Sequence, residues 1–125
     1  MSDPLESGGT AHGLNTSHDS MSASVLDALD SVMMEVAGWI KASAGCFLGH
    51  VKMAATDGER TMTLNLTDLG TGVEHHGSLA DGVRVNIRFM AAVVDVDRVE
   101  LAERMRSALV SKGFKIKNKN IIELE

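Results

Sequence analysis

The side chains best suited to chemistry in this sequence are five histidines, one cysteine and eight methionines. Cys46 and His50 are four residues apart. On a helix they would share one face; on a strand they would stand about 13 Å apart at roughly 3.3 Å per residue, too far to hold one ion unless Cys46 belongs to the preceding turn. His75 and His76 are adjacent in a glycine-rich stretch. Neighbours rarely ligate one metal in regular structure, but a loop allows it, so His75 and His76 form the candidate metal pair, against the plainer reading of surface polar residues. No CxxC, HExxH or Cys/His cluster is present. Met33, Met53, Met62 and Met105 fall at core-facing positions. In a chain with three Phe, one Trp and no Tyr, they read as adaptable core filling before they read as thioether ligands.

Nucleophilic and phosphate chemistry find no support. Cys46 follows the C-terminal end of a predicted helix, whose partial negative charge disfavours a thiolate, and it reads as a buried thiol. There is no G-x-S-x-G elbow, no G-x-x-x-x-G-K-[ST] loop and no G-x-G-x-x-G after a strand. Leu69-Gly70-Thr71-Gly72 is a lone G-x-G that leads to no helix. No catalytic residue and no cofactor is assigned, and the balance of the sequence is toward a protein that is not an enzyme.

The elements that would position these residues can be read from hydrophobic period. Val25, Leu29, Val32, Val36 and Ile40 make one apolar stripe, predicting a helix over 24–44 with Ser24 as N-cap and Gly45 as its stop. Gly38 weakens its middle and suggests a close approach of helix and sheet. Three alternating runs follow. Phe47, Gly49, Val51, Met53 and Ala55 share a face; so do Met62, Leu64 and Leu66; so do Val83, Val85, Ile87 and Phe89. Asp57-Gly58 between the first two is a strong hairpin signal. A glycine-rich connection spans 68–82. Asp97 and Glu100 cap a second helix over 98–112, with Leu101, Met105, Ala108 and Leu109 on its apolar side and Gly113 ending it. Phe114, Ile116 and Ile121 or Ile122 supply one last strand. The expected fold is therefore α+β, a two-layer sandwich of about four antiparallel strands with two helices on one face, in the order αβββαβ. Residues 1–21, with scattered Gly, Ser and Thr and few large aliphatics, read as a disordered tail ahead of a single domain over 22–125. A chain beginning near Met21 should then keep its melting temperature.

The polar side of that sheet is the most informative surface. His50, Lys52, Thr61, Thr63, Asn65, Thr67, Arg84, Asn86 and Arg88 alternate outward, with three cations and no acid among them. A solvated face rich in threonine for its β propensity is the plain explanation. The functional one is a docking face for a protein partner, a second copy of the chain or an anionic ligand. If the three strands pair in chain order, His50 and Lys52 lie about 9–10 Å across the sheet from Arg84 and Arg88. Long side chains could then converge on one acidic group. His50, Lys52, Arg84 and Arg88 are the candidate binding residues. Lys112, Lys115, Lys117 and Lys119 form a basic strip that would also keep a sheet edge from aggregating.

Composition bounds the rest. The 125 residues carry 12 Lys and Arg against 17 Asp and Glu, a net charge of -5, which argues against nucleic acid as the partner. The helix-strand-strand-strand-helix order fits a double-stranded RNA-binding domain, but Glu100 and Glu103 stand where the second helix would need lysines for phosphates. No 18-residue apolar run suggests a membrane span. The N-terminus lacks the order of a secretory signal, and one cysteine fits a reducing compartment, so the expected location is cytoplasmic.

Leu48-Gly49-His50-Val51-Lys52 after an amphipathic helix resembles the I-G-H-[IV]-K segment in C-terminal regions of CobW-like GTPases, metal-chaperone proteins of the cobalamin-synthesis type. The run 83–88 followed by Val99-Glu100-Leu101-Ala102-Glu103 is similar to their next strand and helix, and the likeness covers about residues 24–112. The nucleotide-binding domain and Cys-rich metal motif of that family are missing here. The resemblance implies a free-standing accessory domain linked to metal or corrinoid metabolism, with no catalytic residue carried over. The function expected from the sequence is a small accessory or binding domain; the alternative is a small-molecule or metal-binding protein using His50 or the His75-His76 loop.

Overall fold

The computed structural model describes residues 9–118. The elements are β1 (Gly9–His18), α1 (Ala23–Ala44), β2 (Gly49–Thr56), β3 (Thr61–Leu66), β4 (Glu74–His76), β5 (Val85–Val94), α2 (Arg98–Ser111) and β6 (Lys115–Asn118). The six strands form one sheet in the order β4-β3-β2-β5-β1-β6, and every neighbouring pair is antiparallel. β1-α1-β2 and β5-α2-β6 interleave, each unit leaving a gap that a strand of the other fills. This is the split β-α-β arrangement, widened by β3 and β4 beyond β2.

The expected α+β class and the helix-covered antiparallel sheet hold, while the order αβββαβ and the four-strand count do not. The largest correction concerns residues expected in a disordered tail. Gly9–His18 form β1, paired with β5 along ten residues and with β6 on its other side. Its inward positions are Thr10, His12, Leu14, Thr16 and His18, a set with a single large aliphatic, so no hydrophobic alternation marks it. Polar contacts take the place of apolar burial. Thr16, 1% exposed, donates from Oγ1 to the Lys115 carbonyl at 2.5 Å. Thr10 Oγ1 donates to the Val96 carbonyl at 2.8 Å, and the His18 ring packs 5.7 Å from the Phe114 ring. The second added strand, β4, lies inside the 68–82 connection and pairs with β3 through three exposed residues.

α1 buries Val25, Leu29, Val32, Met33, Val36, Ala37 and Ile40. Its N-cap is Ser22 and not Ser24: Ser22 Oγ accepts the Val25 N–H at 3.2 Å, and the two serine hydroxyls bond each other at 3.0 Å. Gly45 closes the helix at φ 88°, its N–H donating to the Lys41 carbonyl. Gly38 does not meet the sheet. It is exposed, and nothing lies within 4 Å of where its Cβ would be. α2 starts as expected, with Asp97 Oδ2 accepting the Glu100 N–H at 2.9 Å. The helices also touch through Arg104, whose guanidinium carbon is 5.5 Å from the centre of the Trp39 ring.

Between helices and sheet lies the core. Phe89, Leu64, Leu66, Val51 and Val93 are buried there with the expected Met33, Met53, Met62 and Met105. Gly49 is one place where only glycine fits. Its φ is +125°, and a Cβ would stand 2.1 Å from the Ala92 carbonyl oxygen of β5. Cys46, expected as buried, is an exposed free thiol in the loop between α1 and β2. Among the described residues, no helix is long and apolar enough to cross a membrane.

Candidate functional site

Both helices pack on one face of the sheet, so among the described residues the other face is left uncovered. Antiparallel partners point to the same side, and the register therefore assembles that open face row by row. Ser17, Asn86, Thr56 and Thr61 form one row across β1, β5, β2 and β3. The next holds Asn15, Arg88, Ala54 and Thr63, ending on β4 with His76. The third runs Gly13, Met90, Lys52, Asn65 and Glu74. The fourth holds Ala11, Ala92 and His50. Chemistry changes along the strands: amides, hydroxyls and cations at one end, Gly, Ala and Met at the other.

Three of the four expected binding residues sit on this face, but they do not converge. β2 lies beside β5, not two strands away, because it pairs with β3 on one edge and β5 on the other. His50 is opposite Ala92 and Lys52 opposite Met90, whereas Arg88 is opposite Ala54. Lys52 and Arg88 are diagonal neighbours, about 7–8 Å apart at the backbone. His50 stands roughly 13 Å further along the strands from Arg88. Arg84 lies outside the group. It precedes β5, about 27 Å along the sheet from His50 at roughly 3.4 Å per residue. Its Nη1 is ion-paired with Asp19, and its Nη2 reaches Ser17 Oγ at 3.4 Å. Asp19 stood in the segment expected to be disordered, so the partner that neutralises Arg84 was hidden from the sequence.

The proposed metal pair is also separated. His75 and His76 occupy successive positions of β4, so they point to opposite sides of the sheet. His75 Nε2 contacts Asp30 of α1 at 2.8 Å (Oδ1) and 3.0 Å (Oδ2), tying the outer strand to the helix layer. His76 aligns with Thr63 on the open side. Among the described residues, no group of three or more His, Cys, Asp and Glu could hold a metal ion.

The open face contains instead a hollow of about 470 Å³. β5 contributes Asn86, Ile87 and Arg88 to it, β2 contributes Ala54 and Thr56, and β1 contributes Asn15 and Thr16; Thr61 and Lys117 close its two sides. Ala54 creates the depression, since it is the smallest side chain in its row and sits directly beside Arg88. Two cations line the hollow and no carboxylate does. Asn15 and Lys117 were not among the expected site residues. Asn15 was lost with β1. Lys117 was read as part of a basic strip, and the strip was its only signal. The hydroxyl side of the hollow is held by the β2–β3 turn. Thr56 Oγ1 donates to the Arg60 carbonyl at 2.8 Å and accepts the Gly58 N–H at 3.1 Å. Asp57 Oδ1 accepts the N–H groups of Glu59 and Arg60, both at 2.8 Å. Those bonds, led by the one from Arg60, hold the Asp57 carboxyl below its ordinary 3.8.

No protein-family model, curated protein or solved structure matches the chain.

Proposed function

We propose that the protein is a non-enzymatic binding domain that docks an acidic partner protein on the open face of its sheet. The observation that supports this reading is the charge of that face. Lys52, Arg88, Lys115 and Lys117 stand on it or at its β6 edge, while its rows carry one carboxylate, Glu74, on the short outer strand. This imbalance belongs to a chain whose net charge is -5, so the cations are concentrated and not merely abundant. Clustered cations without counter-charges repel one another, and an acidic partner relieves that cost. A second copy fits less well: an isologous contact would set this cationic patch against the same cationic patch of the other molecule. The role that suits such a domain is accessory, and the likeness of residues 48–52 to CobW-like proteins supports a link to metal or corrinoid metabolism.

The experiment is an amide NMR titration with a hexaglutamate peptide at two salt concentrations. Shifts should gather on β1, β2 and β5, weaken with salt, and vanish in the double variant Arg88→Glu with Lys117→Glu while its spectrum stays folded. Shifts spread over the helices, or shifts indifferent to the double variant, sink the reading.

A further inference from the structure

We infer that the hollow at the Arg88 end of the open face is a site for a small organic acid with an apolar body. This rests on the reading of that face as an anion-binding surface and adds a ligand class to it. The volume of about 470 Å³ falls within the roughly 300–1,000 Å³ typical of small-molecule sites. Its wall divides into two chemistries. Ala54 and the methyl groups of Thr56 and Thr61 present carbon. Arg88, Lys117, Asn15 and Asn86 present N–H donors. An uncharged ligand would leave two cations without a counter-charge. A metal ion would find no carboxylate or imidazole among the lining residues. A bare inorganic anion would leave the carbon wall unused. A carboxylate carried on a hydrocarbon chain uses both.

The register assigns the roles. Arg88 lies directly between Asn15 on β1 and Ala54 on β2. Its planar fork can take both oxygens of a carboxylate, and Asn15 stands beside it to donate to the same group. Lys117, from β6, adds a second positive charge from the far side of β1. Ala54 leaves the space in which the hydrocarbon chain lies, and Thr56 and Thr61 bound it at the β2–β3 turn. The neighbouring hollow of about 420 Å³, which shares Lys117, contains the Arg84–Asp19 pair; its guanidinium is already neutralised, which favours the Arg88 hollow over it.

The test is a titration of isotope-labelled protein with sodium octanoate, followed by amide shifts, with sodium acetate and n-octanol as controls. Octanoate should give saturable shifts centred on Ala54, Asn86 and Arg88 with a Kd below about 1 mM, and each control should bind at least about tenfold more weakly. Arg88→Gln with Lys117→Gln should weaken octanoate by about tenfold or more. Ala54→Leu, which fills the space and leaves the charges, should do the same. Should Ala54→Leu disturb the fold, the Gln pair alone decides. The inference is overturned if octanoate does not saturate, if octanol binds equally well, or if the variants bind like the native chain. Hexaglutamate shifts that persist while octanoate is silent overturn this inference and leave the partner-docking reading standing.

Discussion

The two faces of the sheet are built from the same strands and obey opposite rules. On the covered face, positions are filled to the exclusion of solvent: Val51, Met53, Leu64, Leu66, Phe89 and Val93 are all 0% exposed. Large side chains there meet α1 and α2, and any gap costs both transfer energy and a cavity. On the open face the volumes are uneven. Ala54 lies between Arg88 and Thr63, and Gly13 lies beside Met90. A core would close such gaps, whereas a surface can keep them as places for something else to sit. The covered face therefore accounts for stability and the open face is the one proposed to bind, and substitutions on the two should separate these properties.

The most severe disruption of that division is removal of β1, which serves both faces. A chain beginning at Met21 loses Leu14 and Thr16 from the covered side and Asn15 from the hollow. It also exposes a long edge of β5 and leaves β6 with no neighbour. Such a chain should show no cooperative thermal unfolding and no dispersed amide spectrum. A melting temperature within a few degrees of the native chain's would show that β1 contributes little to the sheet.

Next in size come single substitutions across the two faces. Leu64→Ala and Ile87→Ala each remove a side chain at most 2% exposed and should cost about 2–5 kcal/mol in denaturant unfolding. Thr63→Ala, adjacent to Leu64 but on the open side, should cost well under about 1 kcal/mol. Comparable losses at Leu64 and Thr63 would mean that the open face is covered as well.

This contrast also explains what was legible in the sequence. Wherever a face is apolar the pattern is unambiguous: the stripe of α1, the caps of α2 and the alternation at Leu64 and Ile87 all lead to the observed elements. Alternation assigns a residue to a face, but it does not choose a strand's neighbours. His50, Lys52 and Arg88 were therefore placed on the correct side and in the wrong juxtaposition. β1 was illegible because Thr10 and Thr16 are satisfied by backbone carbonyls instead of apolar contacts, and β4 because three exposed residues have no period. Both omissions fell on the site, hiding Asn15, Asp19 and the separation of His75 from His76.

The smallest expected effect is confined to the turn that bounds the hollow, and it tests whether the open face is organised locally, without the core. Asp57 accepts two backbone N–H groups, which stabilise its charged form, so its folded pKa lies below the ordinary value of 3.8. A carboxyl with a depressed folded pKa contributes stability above its unfolded pKa and loses it as pH falls through the folded value. Lowering the pH below about 3.8 should therefore shift the Glu59 and Arg60 amides and speed their exchange with solvent, while the amides of Leu64 and Ile87 stay protected. Asp57→Asn keeps an acceptor oxygen without a titrating proton, so in that variant the same amides should hold still over the range. Thr56 bonds to the same turn, so loosening the turn also frees the hydroxyl side of the hollow. If the Glu59 and Arg60 amides titrate with a midpoint at or above 3.8, the two bonds to Asp57 do not hold its proton off, and the hydroxyl side of the hollow is fixed by the strands alone.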